Sequence, residues 1–307
     1  MKELGGIIPI LATPFTERGE VDGESFLRLV EAGLQDGVQG LAMFGLGSEY
    51  YKLADNERAG LIKQLVSQVN GRVPVIISIT PHAREVAVDQ AREAVAMGAD
   101  ALMIMPPFFL SPSAEAIMRH IEAVAAAVAV PIIVQYAPLQ TGKIIEAKTF
   151  VDLHRTHPNV THIKVDLVPS GGMITALEQA SGGSLRSLVG YMGLHLPDDA
   201  ARGVAGCMPT VSLGRAFVYL WKLLRQGGDA GWSFHQRLLP MLNFLMQSVE
   251  MLIACEKLLL AGRGILATAY CREPAYHPDR FQLAELDRHT SNLAEWLPGI
   301  LADQARG

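Results

Sequence analysis

Residues 101–135, ALMIMPPFFLSPSAEAIMRHIEAVAAAVAVPIIVQ, contain the pattern that decides the fold. The stretch begins with one apolar run, Ala101–Met105, and ends with a second, Pro131–Gln135. Between them, Ala114–Val128 places apolar residues three and four apart, which is the spacing of an amphipathic helix. Because both runs are almost continuously apolar, they are typical of strands covered on both faces, as in a parallel sheet. The stretch therefore predicts one strand–helix–strand unit.

The same unit repeats along the chain on both sides of this stretch. Apolar runs begin at residues 7, 40, 73, 101, 131, 160, 188 and 206, a near-constant spacing. The predicted strands are Ile7–Ala12, Gly40–Phe44, Val73–Ile79, Ala101–Met105, Pro131–Gln135, Val160–Val165, Leu188–Gly190 and Gly206–Val211. Further helix patterns lie at Ser25–Gln35, Asn56–Val69 and Glu85–Met97.

Eight such units are the number that closes an α/β barrel of the (β/α)8 TIM type, which is the fold we predict. A doubly wound open sheet is the alternative. That fold usually has fewer strands and often a Gly-x-Gly-x-x-Gly turn after the first one, which is absent from this sequence.

The barrel is expected to occupy residues 1–227 and to carry the active site. Residues 228–307 are expected to form a C-terminal helical appendix, because helical periodicity is present at Phe234–Glu250, Met251–Leu260 and Ala284–Leu297. Nothing resembling a flexible linker separates the two parts, so we expect them to pack as one structural unit.

Composition excludes several classes of protein. Of the 307 residues 50% are hydrophobic and 19% are charged, which excludes intrinsic disorder. Lys and Arg total 26 against 31 acidic residues, without any basic cluster, so no nucleic-acid partner is expected. The longest apolar stretch, Ala123–Val134, is too short for a bilayer, and the N-terminus lacks the apolar region of a secretory signal. We predict a cytoplasmic protein without a membrane partner.

Metal and disulfide chemistry are also unfavoured. Cys207, Cys255 and Cys271 are odd in number and widely spaced, so they favour buried small hydrophobes over a disulfide framework or a zinc site. His154 and His157 have helical spacing, but no third ligand is near them in the sequence. We therefore expect neither a metal nor an organic cofactor.

Lys164 is the first candidate for chemistry, because active sites of such barrels lie at the carboxyl ends of the strands. It is one of eight lysines and lies inside a strand that should be buried. Burial disfavours the charge of a lysine, and a neutral amine can attack a carbonyl to form a Schiff base. The alternative is a structural lysine whose ammonium group reaches the strand end and pairs with Asp166.

Two further fragments close neighbouring strands. Tyr136 follows the fifth predicted strand, where a phenol beside Lys164 can act as general acid and base. Gly45–Glu49 closes the second strand, and its two glycines allow backbone amides to form a concavity that suits a carboxylate. Ser48 adds a hydroxyl donor. A packed tyrosine and an ordinary strand-to-helix turn with Ser48 as a cap are the alternatives.

In this order and spacing, the fragments resemble the dihydrodipicolinate synthase and N-acetylneuraminate lyase family of class I Schiff-base lyases. The resemblance covers residues 6–214, and the helical tail is similar to that family's three C-terminal helices. Gly-Leu-Gly-Ser-Glu stands where the family has Gly-Thr-Thr-Gly-Glu. Tyr136–Gly142, with one residue fewer, stands where the family has Tyr-Asn-x-Pro-x-x-Thr-Gly, and Ile163-Lys164 stands in its Gly-Ile-Lys motif.

The resemblance implies a role for each matched residue. Lys164 would form an imine with pyruvate or another 2-oxo acid, and Tyr136 would transfer protons. The amides of Gly47 and Ser48 would hold the substrate carboxylate, while Leu46, Gly190 and Met208 would line the same pocket. The resemblance also implies a homo-oligomer, either a dimer or a tetramer.

Three positions depart from the synthase pattern. Leu46 replaces the first relay threonine, and Phe109 replaces the tyrosine that a neighbouring subunit supplies. Gln140 replaces the arginine that binds the carboxylate of the aldehyde substrate, which removes a charged bidentate donor. Together with Phe108 and Met208, these changes favour a less polar second substrate. Residues that could replace the relay are Tyr50, Tyr51, His82 and His195.

Three functions follow from these observations. The first is a Schiff-base lyase, aldolase or dehydratase that acts on a 2-oxo acid together with an unidentified aldehyde or sugar acid. The second is authentic 4-hydroxy-tetrahydrodipicolinate synthase, condensing pyruvate with aspartate semialdehyde, which Gln140 and Phe109 argue against. The third is a non-catalytic barrel that binds a 2-oxo acid or assembles with partners.

Overall fold

Eight short parallel strands form one sheet that curls into a ring. The computed structural model describes residues 2–304, with side chains through residue 296. The strands are β1 Gly6–Ile7, β2 Leu41–Met43, β3 Val75–Ile79, β4 Ala101–Ile104, β5 Ile132–Tyr136, β6 Val160–Val165, β7 Arg186–Val189 and β8 Gly206–Cys207. From β2 to β8 each strand pairs with the next in sequence, and β8 pairs with β1. Hydrogen bonds from Leu11 N to Ala42 O and from Ala42 N to Pro9 O join the segment directly after β1 to β2 and so close the ring. The predicted (β/α)8 TIM barrel is confirmed.

Helices connect the strands and surround the ring. They are α1 Gly23–Gln35, α2 Asp55–Val69, α3 Arg84–Ala96, α4 Ala114–Ala127, α5 Pro138–Thr141, α6 Ala147–Thr156, α7 Gly171–Ser181, α8 Leu196–Ala201, α9 Gly214–Gln226, α10 Ala230–Leu245, α11 Val249–Gly262 and α12 Arg280–Gln304. Side-chain caps mark the start of several helices; for example, Asp22 accepts from Ser25 N before α1, and Ser113 accepts from Ala116 N before α4. The helices predicted between the strands are confirmed to within a few residues.

The first and last strands are shorter than predicted. β1 ends at Ile7 and β8 ends at Cys207, whereas the apolar runs continue to Ala12 and Val211. Each run contains a proline, Pro9 or Pro209, which has no N–H to donate to a neighbouring strand. The apolar pattern is therefore correct about burial. The continuous strands are shorter than predicted, although single hydrogen bonds such as Ile10 N to Pro209 O continue beyond the prolines.

The C-terminal appendix is helical, but its first predicted helix has the wrong end. The sequence pattern continues to Glu250, whereas α10 ends at Leu245 and α11 begins at Val249. Ser248 causes the break, because its side chain accepts a hydrogen bond from Met251 N and so caps a new helix. The division of the chain at residue 227 stays an interpretation, and residues 305–307 of the appendix lie outside the described residues.

Side chains of the strands alternate between two layers of the core. The inner layer fills the ring and consists of Leu4, Ile8, Ile10, Ala42, Ile76, Ala101, Met103, Ile133, Leu188, Ala205 and Met208. The outer layer lies between strands and helices and includes Val134, Tyr136, Ile163 and Val165. This alternation decides which residue of each strand can reach the barrel interior.

Within the described residues, no single helix is long and apolar enough to cross a bilayer. α10 and α11 meet such a criterion only as a pair, and they are bent by 113° relative to each other.

Candidate active site

A cavity lies at the carboxyl ends of the strands, and Lys164 is part of its wall. The cavity is lined by Ile10, Gly45, Leu46, Gly47, Gln135, Gln140, Lys164, Asp166, Tyr191, Met192, Met208, Pro209, Thr210, Met246, Val249 and Leu252. Three of these, Met246, Val249 and Leu252, come from the C-terminal appendix. The described lining contains one basic side chain, Lys164, and one acidic side chain, Asp166.

Lys164 belongs to a hydrogen-bonded cluster with Asp166, which directly follows the same strand β6, and Gln135, which lies on the neighbouring strand β5. Its Nζ donates to Asp166 Oδ2 at 2.7 Å, and Gln135 Nε2 donates to the same oxygen at 2.6 Å. Lys164 and Asp166 are each 6% exposed. Lys164 and Asp166 are two residues apart, so they project to the same side of the chain, and Gln135 pairs in register with Lys164. The three side chains therefore converge inside the barrel.

Gly190 provides the space that this cluster occupies. A Cβ atom added at Gly190 would lie 1.6 Å from Asp166 Oδ1 and 3.2 Å from Lys164 Cε. A side chain of any other residue would therefore displace the carboxylate. Gly190 is thus adjacent to the cluster, as the resemblance implied, although its own backbone is not among the cavity lining.

The loop after β2 contributes backbone amides from Leu46 and Gly47. Both residues line the cavity, and neither N–H makes a hydrogen bond within the described part of the chain. Free amides at this place suit an anion such as a carboxylate.

Ser48 differs from its predicted position. Its amide donates to Gly45 O, its hydroxyl donates to Leu11 O at 2.6 Å, and the same hydroxyl accepts from Phe44 N at 3.0 Å. The side chain is fully buried, so its donors serve the loop and not a ligand. The prediction that Ser48 faces the substrate carboxylate is not met, because the turn uses both of its donors.

Tyr136 lies on the outer face of the barrel wall. It pairs with Val165 and belongs to the outer layer of the core. Its ring packs edge-on against Phe150 at 5.4 Å, and its hydroxyl accepts a long hydrogen bond of 3.4 Å from Ile145 N. Burial raises the pKa of this phenol. The prediction that its hydroxyl lies beside the Lys164 amine is wrong, because strand alternation directs it away from the interior.

Gln135 takes the inward position that the sequence comparison gave to tyrosine. The family motif Tyr-Asn-x-Pro-x-x-Thr-Gly fits Pro138, Thr141 and Gly142 without a gap, and that alignment puts Gln135 at the tyrosine. The sequence analysis placed a one-residue gap between Tyr136 and Gly142, and that gap assigned the motif tyrosine to Tyr136, whose side chain lies on the outer face. A gap-free alignment of the motif on Pro138, Thr141 and Gly142 was the signal that would have found this.

The other proposed relay residues lie away from this cavity. Among the described lining residues there is no Tyr50, Tyr51, His82 or His195. Tyr51 is 51% exposed, and burial together with Glu49 raises the pKa of its phenol to about 12. His82 packs against Phe108, and His195 is exposed. Phe108 and Phe109 are also absent from the lining, so only Leu46 and Met208 of the predicted apolar residues contribute.

Tyr191 is a cavity residue that the sequence interpretation missed. Tyr191 and Met192 have φ angles of 47° and 51°, which are uncommon for residues other than glycine. This backbone, after β7, brings both side chains into the lining. Burial raises the pKa of the Tyr191 phenol. The apolar run at 188–190 gave no sign of the turn that follows it.

A barrel with a buried lysine at the carboxyl ends of its strands is consistent with a class I aldolase-type lyase, and the comparison with protein families gives that class. The model of the dihydrodipicolinate synthetase family matches residues 3–291, so the chain belongs to that family. The family resemblance inferred from the sequence is confirmed.

Relatives of known activity match nearly the whole chain. It is 30% identical to 4-hydroxy-tetrahydrodipicolinate synthase 2 of Halalkalibacterium halodurans, over 96% of this chain and 99% of that protein. It is also 28% identical to the L-2-keto-3-deoxyarabonate dehydratase of Azospirillum brasilense, over 94% of this chain and 95% of that protein.

Solved structures show the same fold. YagE from E. coli K12, a prophage protein of the dihydrodipicolinic acid synthase family in complex with pyruvate, superimposes with a TM-score of 0.87 at 25% identity. That comparison covers 95% of this chain and 99% of YagE. The synthase of Methylacidiphilum fumariolicum SolV gives a TM-score of 0.90 at 23% identity, covering 98% and 99% of the two chains.

Proposed function

We propose that this lyase works through a Schiff base between Lys164 Nζ and the keto carbon of pyruvate or a related 2-oxo acid. The observation that carries the proposal is the position of Lys164, which is buried at the carboxyl ends of the strands and faces a cavity. A protonated imine withdraws electrons from the neighbouring carbon, so bonds there can form or break through an enamine.

The carboxylate of the 2-oxo acid is assigned to the free amides of Leu46 and Gly47. Both border the cavity that contains Lys164, so an anion bound there can present its keto carbon to the amine. Gly47 keeps the role predicted from the sequence, and Leu46 replaces Ser48 as the second donor. This requires no metal and no organic cofactor.

The second half of the substrate is expected to be uncharged. The cavity lining also includes five large apolar side chains, Met192, Met208, Met246, Val249 and Leu252. Gln140 is present where an arginine would bind a second carboxylate, and a neutral amide gives an anion less reason to bind. Authentic 4-hydroxy-tetrahydrodipicolinate synthase activity on aspartate semialdehyde is therefore the weaker alternative.

A sugar-acid dehydratase is a second candidate. Similarity to the L-2-keto-3-deoxyarabonate dehydratase extends over nearly both whole chains. Its named substrate is a 2-keto acid, so the same Schiff base applies, followed by loss of a hydroxyl group. Polar side chains of the cavity lining can hydrogen-bond such hydroxyls; they include Gln140, Tyr191 and Thr210.

Reductive trapping tests the Schiff base. After incubation with pyruvate and sodium borohydride, intact mass should increase by one reduced adduct, and peptide mapping should place it on Lys164. The adduct should be absent from Lys164→Ala and retained in Lys63→Ala, a matched change at an exposed lysine of α2. If none of several 2-oxo acids gives an adduct, the result would favour the non-catalytic alternative, a barrel that binds a 2-oxo acid or assembles with partners.

Turnover assays then separate the substrates. Aspartate semialdehyde, an aromatic aldehyde and a 2-keto-3-deoxy sugar acid should each be tested with the wild-type protein. We expect the aromatic aldehyde or the sugar acid to be turned over faster than aspartate semialdehyde. A kcat/KM for aspartate semialdehyde of about 10⁴ M⁻¹s⁻¹ or more would instead establish the synthase. A cytoplasmic location and a homo-oligomeric assembly belong to the same proposal.

A further inference from the structure

We propose that Asp166 is the proton-transfer residue of this active site, in the place that the family gives to tyrosine. The inference rests on the proposed Schiff base at Lys164 and adds the group that moves protons around it. It names a residue of this chain that no family motif assigned.

Asp166 contacts the reacting atom. Its Oδ2 accepts from Lys164 Nζ at 2.7 Å, so a proton can pass directly between amine and carboxylate. Tyr191 is the remaining ionisable side chain in the described lining, and it makes no hydrogen bond to Lys164. Tyr136 faces the outer layer, and Gln135 carries an amide that cannot exchange a proton in the way a phenol does. Asp166 is therefore the group placed for proton transfer at the amine.

The carboxylate is oriented by its neighbours. Gln135 and Lys164 both donate to Oδ2, which leaves Oδ1 without a hydrogen bond from the described residues. Oδ1 occupies the space where a side chain of residue 190 would begin, and Gly190 keeps that space open. One oxygen is thus fixed by the protein while the other remains able to exchange protons with a bound substrate.

Imine formation can be written with Asp166 as the sole proton carrier. The ammonium of Lys164 gives a proton to the carboxylate, and the neutral amine forms a carbon–nitrogen bond to the keto carbon. The carboxylic acid protonates the keto oxygen, and the carboxylate then takes a proton from nitrogen. That proton is returned to the carbinolamine hydroxyl as the carbon–oxygen bond breaks. Water leaves, the protonated imine remains, and Asp166 is a carboxylate again.

The following step uses the same carboxyl group. The carboxylate removes a proton from the carbon next to the imine, giving a neutral enamine and a carboxylic acid. That acid can return its proton to carbon, or donate it to the oxygen of an aldehyde or to a departing hydroxyl group. Throughout, a carboxylate beside the protonated imine stabilises its positive charge in a site that is largely shielded from water.

Exchange of the pyruvate methyl protons in D₂O measures this step without a second substrate. Proton NMR should show exchange with the wild-type protein and a rate lower by about 100-fold or more in Asp166→Asn. Borohydride trapping of Asp166→Asn after long incubation should still give the Lys164 adduct. Asp198→Asn, which removes an exposed carboxylate paired with Arg202 on α8, is the matched control and should exchange at the wild-type rate.

Chemical rescue separates proton transfer from a structural role. Asp166→Ala leaves a space for a small carboxylate, so formate should raise its exchange rate by about tenfold, whereas chloride at equal ionic strength should not. Lack of rescue by formate, or exchange in Asp166→Asn within about threefold of wild type, would overturn the assignment. Absence of any wild-type adduct would overturn the Schiff base itself, so the two failures are distinguishable.

Discussion

Gln135 and Tyr136 are neighbours on β5, yet their side chains lie on opposite faces of the barrel wall. Gln135 pairs in register with Lys164 and lines the cavity, while Tyr136 pairs with Val165 and packs against Phe150. In a strand, a shift of one residue moves a side chain to the other face. At the residue scale, the pairing register of β5 and β6 therefore decides which side chain lies beside Lys164. The presence of a tyrosine in the β5 sequence does not reveal that register.

Tyr136→Phe tests this placement. The hydroxyl accepts a single 3.4 Å hydrogen bond and faces away from the amine, so the rate of pyruvate methyl exchange should stay within about twofold of wild type. Loss of that hydrogen bond should lower the free energy of unfolding by about 1 kcal/mol or less, measured by urea denaturation. Lys164→Ala serves as the inactive reference. A tenfold or larger loss of exchange in Tyr136→Phe would return the phenol to the mechanism.

β6 carries the residue proposed to form the Schiff base, and its inward residues follow one another at intervals of two. His162 lies deeper in the barrel than Lys164, and Asp166 follows just after the strand. His162 Nε2 donates to Leu4 O at 3.1 Å, and its Nδ1 accepts from Thr161 Oγ1 at 2.9 Å. The neutral imidazole fits this arrangement, with Nε2–H donating to the carbonyl oxygen and Nδ1 accepting from the hydroxyl. Burial, the largest cause, together with Arg186 lowers the pKa of His162 to about 4.

The low pKa of His162 predicts a pH dependence of stability. Between its ordinary pKa near 6.5 and about 4, the unfolded chain binds a proton that the folded protein does not. The stabilising contribution is therefore complete above pH 6.5 and is lost as the pH falls towards 4. Its size is about 3 kcal/mol. His162→Gln should show a correspondingly smaller loss of unfolding free energy from pH 7 to pH 4.

Denaturation with urea at several pH values measures this difference. His277→Gln, a change at an exposed histidine, should keep the wild-type pH dependence, because exposed ion pairs contribute little. Equal slopes for His162→Gln and the wild-type protein would show that His162 is not held in its neutral form.

At the scale of the whole molecule, the C-terminal appendix forms part of the candidate active-site cavity. Met246, Val249 and Leu252 line the cavity, and they lie on either side of the break between α10 and α11. A fully buried ion pair between Lys257 of α11 and Glu49 ties this helix to the loop that supplies the free amides. Barrel and appendix therefore both contribute to the wall of the candidate site, whatever boundary is drawn between them.

A group of exposed apolar side chains near the barrel mouth could form the interface of the proposed homo-oligomer. Phe109, Leu110, Leu139 and Ile144 are between 69% and 86% exposed. They lie on the loop before α4 and on the segment formed by α5 and the loop after it, and these two segments approach each other, since Ser111 Oγ lies 3.6 Å from the position of a Cβ added at Gly142. Exposed apolar side chains grouped in this way are typical of protein–protein interfaces. We expect this apolar loop surface to pair with a second copy of the chain.

Leu110→Asp tests the interface. Light scattering after size-exclusion chromatography should show a dimer or tetramer for the wild-type protein and a smaller species for this variant, because a buried unpaired carboxylate is costly. Phe281→Asp, at an exposed position of α12, is the matched control and should leave the assembly unchanged. A wild-type monomer at micromolar concentration, or an unchanged Leu110→Asp assembly, would contradict the expected interface.

The sequence by itself determined the barrel, because eight apolar runs at near-constant spacing depend only on local burial and on the length of one strand–helix unit. It also identified Lys164, since a lysine inside an apolar strand is conspicuous without any coordinates. Only the tertiary structure decided that Gln135 and not Tyr136 faces that lysine, and that Tyr191 and the α10–α11 break complete the cavity. It also established the contact between Asp166 and the amine, which the sequence had left as an alternative. These are relations between separate strands and loops, set by register, by side-chain direction and by a cap at Ser248, and none of them is encoded in the apolar periodicity of one segment.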